Sequence, residues 1–302
     1  MITIPPYLKP GDTIGILCPS GYMPYEKAAT AIETLSGWGF KIVKGRTLGN
    51  QFNYFSGTDD ERLQDLQKLM DNKSIKAIFC ARGGYGLSRI IEQLDFKKFM
   101  KNPKWIIGFS DITILQCHLL SQYKIASLHA PMAAAFNDGE SGNQYILSMH
   151  QALLGRKANY AVPGNELNRN GDDSGILVGG NLSLLAHGVG TSSDIKTKNK
   201  ILFIEDVGEY IYNVDRIMHQ LKRSGKLSNL KGLIVGKFTE MKDTAIPFGQ
   251  SVEEVIKDIV KDYDYPVCFN FPVSHSKENY ALKIGCKYEL VISSSEVLLK
   301  EK

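Results

Sequence analysis

The chain has 302 residues, of which 43% are hydrophobic, 23% charged and 10% aromatic, and its formal net charge is +4. This is ordinary globular composition, and at about 100–200 residues per domain the length allows two domains with full cores. It excludes a disordered chain, a collagen and a small disulfide scaffold. The positive surplus is spread over scattered lysines without a basic stripe to track phosphates, so no nucleic-acid partner is expected.

The five cysteines, Cys18, Cys80, Cys117, Cys268 and Cys286, are odd in number and lack a C-x-x-C spacing. Three of them, Cys18, Cys80 and Cys268, abut Leu, Phe or Val, which reads as buried thiols in a reducing compartment. The first residues, MITIPPYLKPGD, form neither a basic nor an apolar leader segment. No run approaches the roughly 18 apolar residues of a membrane span, so the expectation is a cytoplasmic protein with no membrane partner.

In chain order, Thr13 to Cys18 (TIGILC) reads as a strand ended by Pro19-Ser20-Gly21, and Tyr25 to Leu35 has helical spacing. Lys41 to Val43 is strand-like, Asp59 to Met70 is a capped amphipathic helix, and Ala77 to Cys80 is a buried strand. Gly86 to Leu94 opens as a helix, Trp105 to Phe109 (WIIGF) is a strand, and Asp111 to Leu120 is a further helix. Continuously apolar strands alternating with helices predict a doubly wound, mostly parallel α/β sheet of Rossmann or flavodoxin type over residues 1–158. Residues 159–171, inside a stretch rich in Asn, Gly, Asp and Pro, are expected to be a linker. Residues 172–302 are expected to form a second, smaller mixed α/β domain. Its strands are Ile176 to Val178, Ile201 to Ile204, Leu233 to Val235 and Tyr288 to Ser293, and its helices Leu182 to Val189, Val214 to Ser224 and Val252 to Tyr263.

Gly108-Phe109-Ser110-Asp111 joins a strand to a helix through a sharp turn. A serine there is lifted out of the sheet end onto a helix N-terminus, where the unpaired amides of the first turn favour negative charge. This is the logic of the G-x-S-x-G nucleophile elbow, with Ile112 in place of the second glycine; the plain alternative is a capping serine. Arg82-Gly83-Gly84-Tyr85-Gly86 follows another strand, at the carboxyl edge where doubly wound sheets bind ligands. Its glycines offer bare amides to an oxyanion or a substrate carboxylate, but Arg89 replaces the third glycine of a dinucleotide fingerprint. Gly232-x-x-x-Gly236-Lys237 is one spacer short of a P-loop.

A serine nucleophile needs a base. Of six histidines, His118, His150, His187 and His219 lie on helical patterns, whereas His275 lies in the irregular loop FPVSHSKENYALKIG and His129 in LHAPM after a strand. Loops carry catalytic groups disproportionately, so His275 and His129 are the candidates. The orienting acid would come from Glu205, Asp206 or Glu209, at the end of the apolar strand ILFI, and spacing does not choose among them. No H-E-x-x-H, paired cysteines or His-x-His is present, and neither a metal nor a cofactor is expected.

Eight stretches together (LKPGDTIGILCPSG, YFSGTDDERLQDLQ, IKAIFCARGGYGLSRI, IIGFSDITILQ, LHAPM, GILVGGNLSLL, ILFIEDVGEYIYNVDRIMHQL and FPVSHSKENYALKIG) run nearly end to end. In this order they resemble the LD-carboxypeptidases, or muramoyltetrapeptide carboxypeptidases, whose relatives include the microcin C self-immunity peptidases. The resemblance implies a serine peptidase with a Ser110, Glu205, His275 triad and an oxyanion hole from the amides of Asp111 and Gly84, or Gly83 in its place. The substrate would be a small murein tetrapeptide, cleaved between meso-diaminopimelate or L-Lys and a terminal D-Ala. Its carboxylate needs a cation or bare amides, for which Arg82 and Arg216 are the candidates, with Tyr85 as a further substrate-binding residue. Segments 135–170 and 240–250 are expected to shape the pocket. The alternatives are an immunity-type peptidase cleaving an aminoacyl-nucleotide amide and a non-catalytic muropeptide sensor. The resemblance also implies a homodimer. One departure is HSKENYALKIG, which lacks the Leu-Pro pair that relatives usually carry before Ile-Gly.

Overall fold

The structure, a computed structural model, describes residues 1–137, 139 and 143–302. The first half supplies strands β1 (Thr13–Leu17), β2 (Lys41–Lys44), β3 (Ile75–Cys80), β4 (Trp105–Ile107) and β5 (Ser127–His129). The second half supplies β6 (Asn159–Pro163), β7 (Gly171–Asn181), β8 (Lys200–Val207), β9 (Gly232–Thr239), β10 (Val267–Cys268), β11 (Leu282–Ile284), β12 (Lys287–Ile292) and β13 (Glu296–Glu301). Two sheets result, ordered β11-β5-β4-β3-β1-β2 and β10-β9-β8-β7-β12-β13-β6.

In the first sheet β1 to β5 are parallel and only β11 is antiparallel. Alternate residues divide between two apolar clusters. Ile14, Ile16, Ala77 and Phe79 join the one containing Ala31 and Leu35, while Leu17, Ile78, Cys80 and Ile106 join the one containing Leu66, Leu69 and Leu115. Both faces of the sheet are therefore covered, which is why its strands read as unbroken apolar runs. The helix Asp59–Asp71 starts with a capping box: Thr58 Oγ1 accepts from the Glu61 amide and Glu61 Oε2 accepts from the Thr58 amide. The expected helix over 86–94 forms only two short turns, Leu87–Arg89 and Ile91–Gln93, because the backbone leaves helical geometry at Gly86 (φ 150°) and Ile90 (φ −121°).

The second sheet is mixed: β7 to β10 are parallel, and β12, β13 and β6 extend it antiparallel. The expected linker is corrected here. Residues 159–163 are the edge strand β6, paired with β13, and β7 begins at Gly171, leaving only 164–170 as a connection. An edge strand buries one face, here Tyr160, while Asn159 and Ala161 face water and its terminal Pro163 leaves no central ladder bond unmade. That composition imitates a linker.

After His275 the chain returns to the first sheet as β11, where Leu282 pairs with His129 and Ile284 with Ser127. All five cysteines are buried and unpaired. Among the described residues no helix is long and apolar enough to cross a membrane.

Candidate active site

The carboxyl ends of β3, β4 and β8 meet at one place. After β4, Gly108 takes φ 151°, and a Cβ on it would stand 2.9 Å from Ile112 Cγ1 and 3.2 Å from Cys80 Cβ, so only glycine fits the turn. Gln116 Nε2 pins the turn from below, donating to the carbonyls of Gly108 (2.9 Å) and Leu128 (3.0 Å). Ser110 follows in the left-handed region at φ 63°, a conformation that costs a non-glycine residue about 1–2 kcal/mol. Its hydroxyl caps nothing, since the capping position is Phe109, and among the described residues it has no hydrogen-bond partner. A capping role therefore does not describe this serine.

The Arg82–Gly86 loop lies against Ser110: a Cβ on Gly83 would come within 2.9 Å of Ser110 Cβ and 3.3 Å of the Asp111 amide nitrogen. The Gly83 carbonyl accepts from the Gly21 amide at 2.8 Å. Because a trans peptide points its carbonyl and its following N–H in opposite directions, the Gly84 N–H faces away from Gly21. No acceptor engages that amide among the described residues.

Glu205 sits where the β8–β9 register shifts, level with Asn181 of β7, and is fully buried. Its Oε2 accepts from His275 Nδ1 at 2.6 Å. The His275 loop is fastened to β9 by Phe271 N–H to Val235 O (3.1 Å) and Lys237 N–H to Val273 O (3.0 Å). Gly236 makes that approach possible, as a Cβ there would lie 2.3 Å from the Val273 carbonyl oxygen. With Nδ1 donating to the carboxylate, His275 Nε2 carries a lone pair; it is buried and has no partner among the described residues. Burial works to lower the His275 pKa, but the charge and hydrogen bond of Glu205, with the charge of Asp206, outweigh it, and the net shift is upward.

Ser110, His275, Gly83, Gly84 and Arg82 line one cavity of about 680 Å³, with Glu205 behind the imidazole. No hydrogen bond joins Ser110 to His275 among the described residues; the Phe109 ring stands at 4.7 Å from the imidazole. His129, the rival base, is completely buried, donates to Asn279 Oδ1 at 3.0 Å, and has its pKa pushed down to about 3 by burial. It stays neutral and out of the cavity. Asp206 is likewise committed elsewhere, accepting from Asn181 Nδ2 (2.8 Å) and from the Ser183 amide (2.9 Å) and hydroxyl (2.7 Å). Glu209 accepts from the side chains of Ser183 and Asn213.

Of the substrate candidates, Arg82 faces the cavity, Tyr85 stands outside it beside Phe55, and Arg216 lies on the helix Ile211–Arg223 with its guanidinium 5.2 Å from the Tyr212 ring, in a different surface depression. Of segments 135–170 and 240–250 only Ala135 lines the cavity; residues 138 and 140–142 fall outside the described residues. The remaining wall includes Tyr54, Pro131, Met132, Lys277 and Asn279, none singled out from sequence. Lys277 and Asn279 follow His275 at alternate positions, which is the signal that could have marked them.

The model of the LD-carboxypeptidase N-terminal domain matches residues 14–130 and that of the C-terminal domain matches residues 174–290. The chain belongs to the LD-carboxypeptidase family. It is 34% identical over 286 residues to the "Probable murein peptide carboxypeptidase" of Bacillus subtilis, covering 94% of this chain and 90% of that protein. It is 26% identical to the microcin C7 self-immunity protein MccF of Escherichia coli over 98% of this chain and 95% of that one. The crystal structure of muramoyltetrapeptide carboxypeptidase from Oxalobacter formigenes superposes with a TM-score of 0.87 at 28% identity, covering 96% of this chain and 98% of that one. Membership makes the chain a hydrolase of carboxypeptidase type.

Proposed function

We propose that the protein is a serine LD-carboxypeptidase that removes the terminal D-Ala from murein tetrapeptides by cutting its amide to meso-diaminopimelate or L-Lys. The observation that carries the reading is the His275–Glu205 bond, with Nε2 bare in the cavity that Ser110 enters from a left-handed turn. His275 Nε2 takes the Ser110 hydroxyl proton as Oγ bonds to the scissile carbonyl carbon. The oxyanion forms against the amides of Asp111 and Gly84. His275 then gives the proton to the leaving amine, the C–N bond breaks, and D-Ala departs. Water, deprotonated by His275, hydrolyses the acyl-enzyme and restores Ser110. Glu205 holds the imidazole tautomer and stabilises its charged form. Arg82, in the cavity wall, is the cation for the substrate carboxylate.

The family resemblance supports the further reading that this reaction serves cytoplasmic murein recycling and that the enzyme is a homodimer, the latter tested by a light-scattering mass. Ser110→Ala should retain the fold and lose about 10⁴-fold or more in kcat. Release of D-Ala by that variant at the wild-type rate would refute the assignment. The likeness to MccF supports a second reading, cleavage of an aminoacyl-nucleotide amide by the same triad. Incubation with a murein tetrapeptide and with an aminoacyl-adenylate analogue, followed by product mass, separates the two. Binding of the tetrapeptide without cleavage would instead favour a sensor.

A further inference from the structure

Two buried side chains of opposite charge grip the loops that form the proposed oxyanion hole. The Asp111 side chain, 1% exposed, points away from the cavity: Oδ2 accepts from Ser20 Oγ at 2.6 Å and from the Leu87 amide at 2.9 Å. Arg62, fully buried on the helix Asp59–Asp71, donates through Nη1 to the carbonyls of Pro19 (2.9 Å) and Gly86 (3.0 Å) and through Nε to that of Gly57 (3.3 Å). Asp59 pairs with its other arm, and its guanidinium carbon stands 4.9 Å from the Phe55 ring.

The loop at Pro19-Ser20 and the loop at Gly86-Leu87 are thus each held at both polarities, carbonyls by Arg62 and hydroxyl or amide donors by Asp111. Between these anchors the loops touch directly, through Gly21 N–H to Gly83 O, and that bond sets which way the Gly84 amide points. Space is tight here as well: a Cβ on Gly86 would stand 2.6 Å from Arg62 Nη1.

We propose that Arg62 and Asp111 act as a clamp that presets the Gly84 amide for the oxyanion, so that both are positioning residues for the chemical step. The inference rests on the serine-hydrolase reading. A donor aimed in advance at charge that exists only in the transition state raises kcat and leaves substrate binding alone. A buried pair serving only the fold would change melting temperature and the amount of folded enzyme, without altering the turnover of folded enzyme.

The test uses the full chain with a murein tetrapeptide, measuring kcat, KM and melting temperature of wild type, Ser110→Ala, Asp111→Asn and Ser20→Ala. Asp111→Asn should lower kcat about 10²-fold, and Ser20→Ala about tenfold, with KM within about threefold in both. If Asp111→Asn does not fold, the Ser20→Ala values decide by the same criterion. Wild-type kcat in the folded variants, or a loss confined to KM, overturns the clamp while Ser110→Ala remains inactive. Wild-type activity of Ser110→Ala overturns instead the reading on which the clamp rests.

Discussion

The single hydrogen bond from His275 to Glu205 makes the most specific demand on solution behaviour. A base must be neutral to accept the Ser110 proton, and the net effect of the surroundings raises the His275 pKa, so the ascending limb of kcat/KM should lie above the ordinary imidazole value of about 6.5. Glu205→Gln removes the charge that lifts it and leaves the burial that lowers it. The limb should therefore move to lower pH while kcat falls about 10³–10⁴-fold. A pH–rate series on both proteins checks this, and a limb that stays in place would remove Glu205 from the site. The same scale separates the two candidate bases. His129 and His275 both follow strand and loop signals in sequence; what distinguishes them is that Asn279 and two phenylalanine rings enclose one, while a carboxylate and a cavity flank the other.

Among elements, the turn from β4 into its helix is the one most open to sequence reasoning, because Gly108 and Ser110 stand where apolar strand meets helical spacing. Its strain is visible only in the backbone. Ser110 is held at φ 63° by the packing of Gly108 on Cys80 and by Gln116, and the strain predicts an asymmetry between two inactive variants. Ser110→Gly should be more stable than Ser110→Ala by about 1 kcal/mol, since glycine alone takes this conformation freely. Urea denaturation of both measures it, and equal stabilities would mean the turn relaxes when the hydroxyl is removed. The edge strand β6 was hidden for the converse reason. Half its surface faces water, so its residues match those of a loop, and only pairing with β13 makes it a strand.

Across the whole molecule, the two sheets are bound together by the return of the chain to β11. Lys283 on β11 is 1% exposed, and its Nζ donates to Arg156 O (2.9 Å) and to both carboxylate oxygens of Glu301 on β13 (3.0 Å). Breaking a buried pair from one side leaves an uncompensated charge, so Lys283→Met should cost about 3–5 kcal/mol. Adding Glu301→Leu should recover most of the loss. Denaturation midpoints of the single and double variants test this, and a double variant as unstable as the single would show that the pair is not the cause.

The sequence by itself determined the two-part α/β plan, since apolar strands of three to six residues spaced by helices can bury their faces in few other ways. It also marked Ser110, the Arg82–Gly86 loop and the two histidines His275 and His129, and the resemblance selected His275 and Gly84, and Glu205 from three neighbouring acids. Tertiary structure decided what depends on distant segments. It set Glu205 beside His275 across 70 residues, walled off His129, excluded Arg216 from the cavity, and joined Arg62 to the loops around Asp111. Local propensity records which element a residue favours; which residues converge depends on register and packing, to which segments far apart in the chain contribute together.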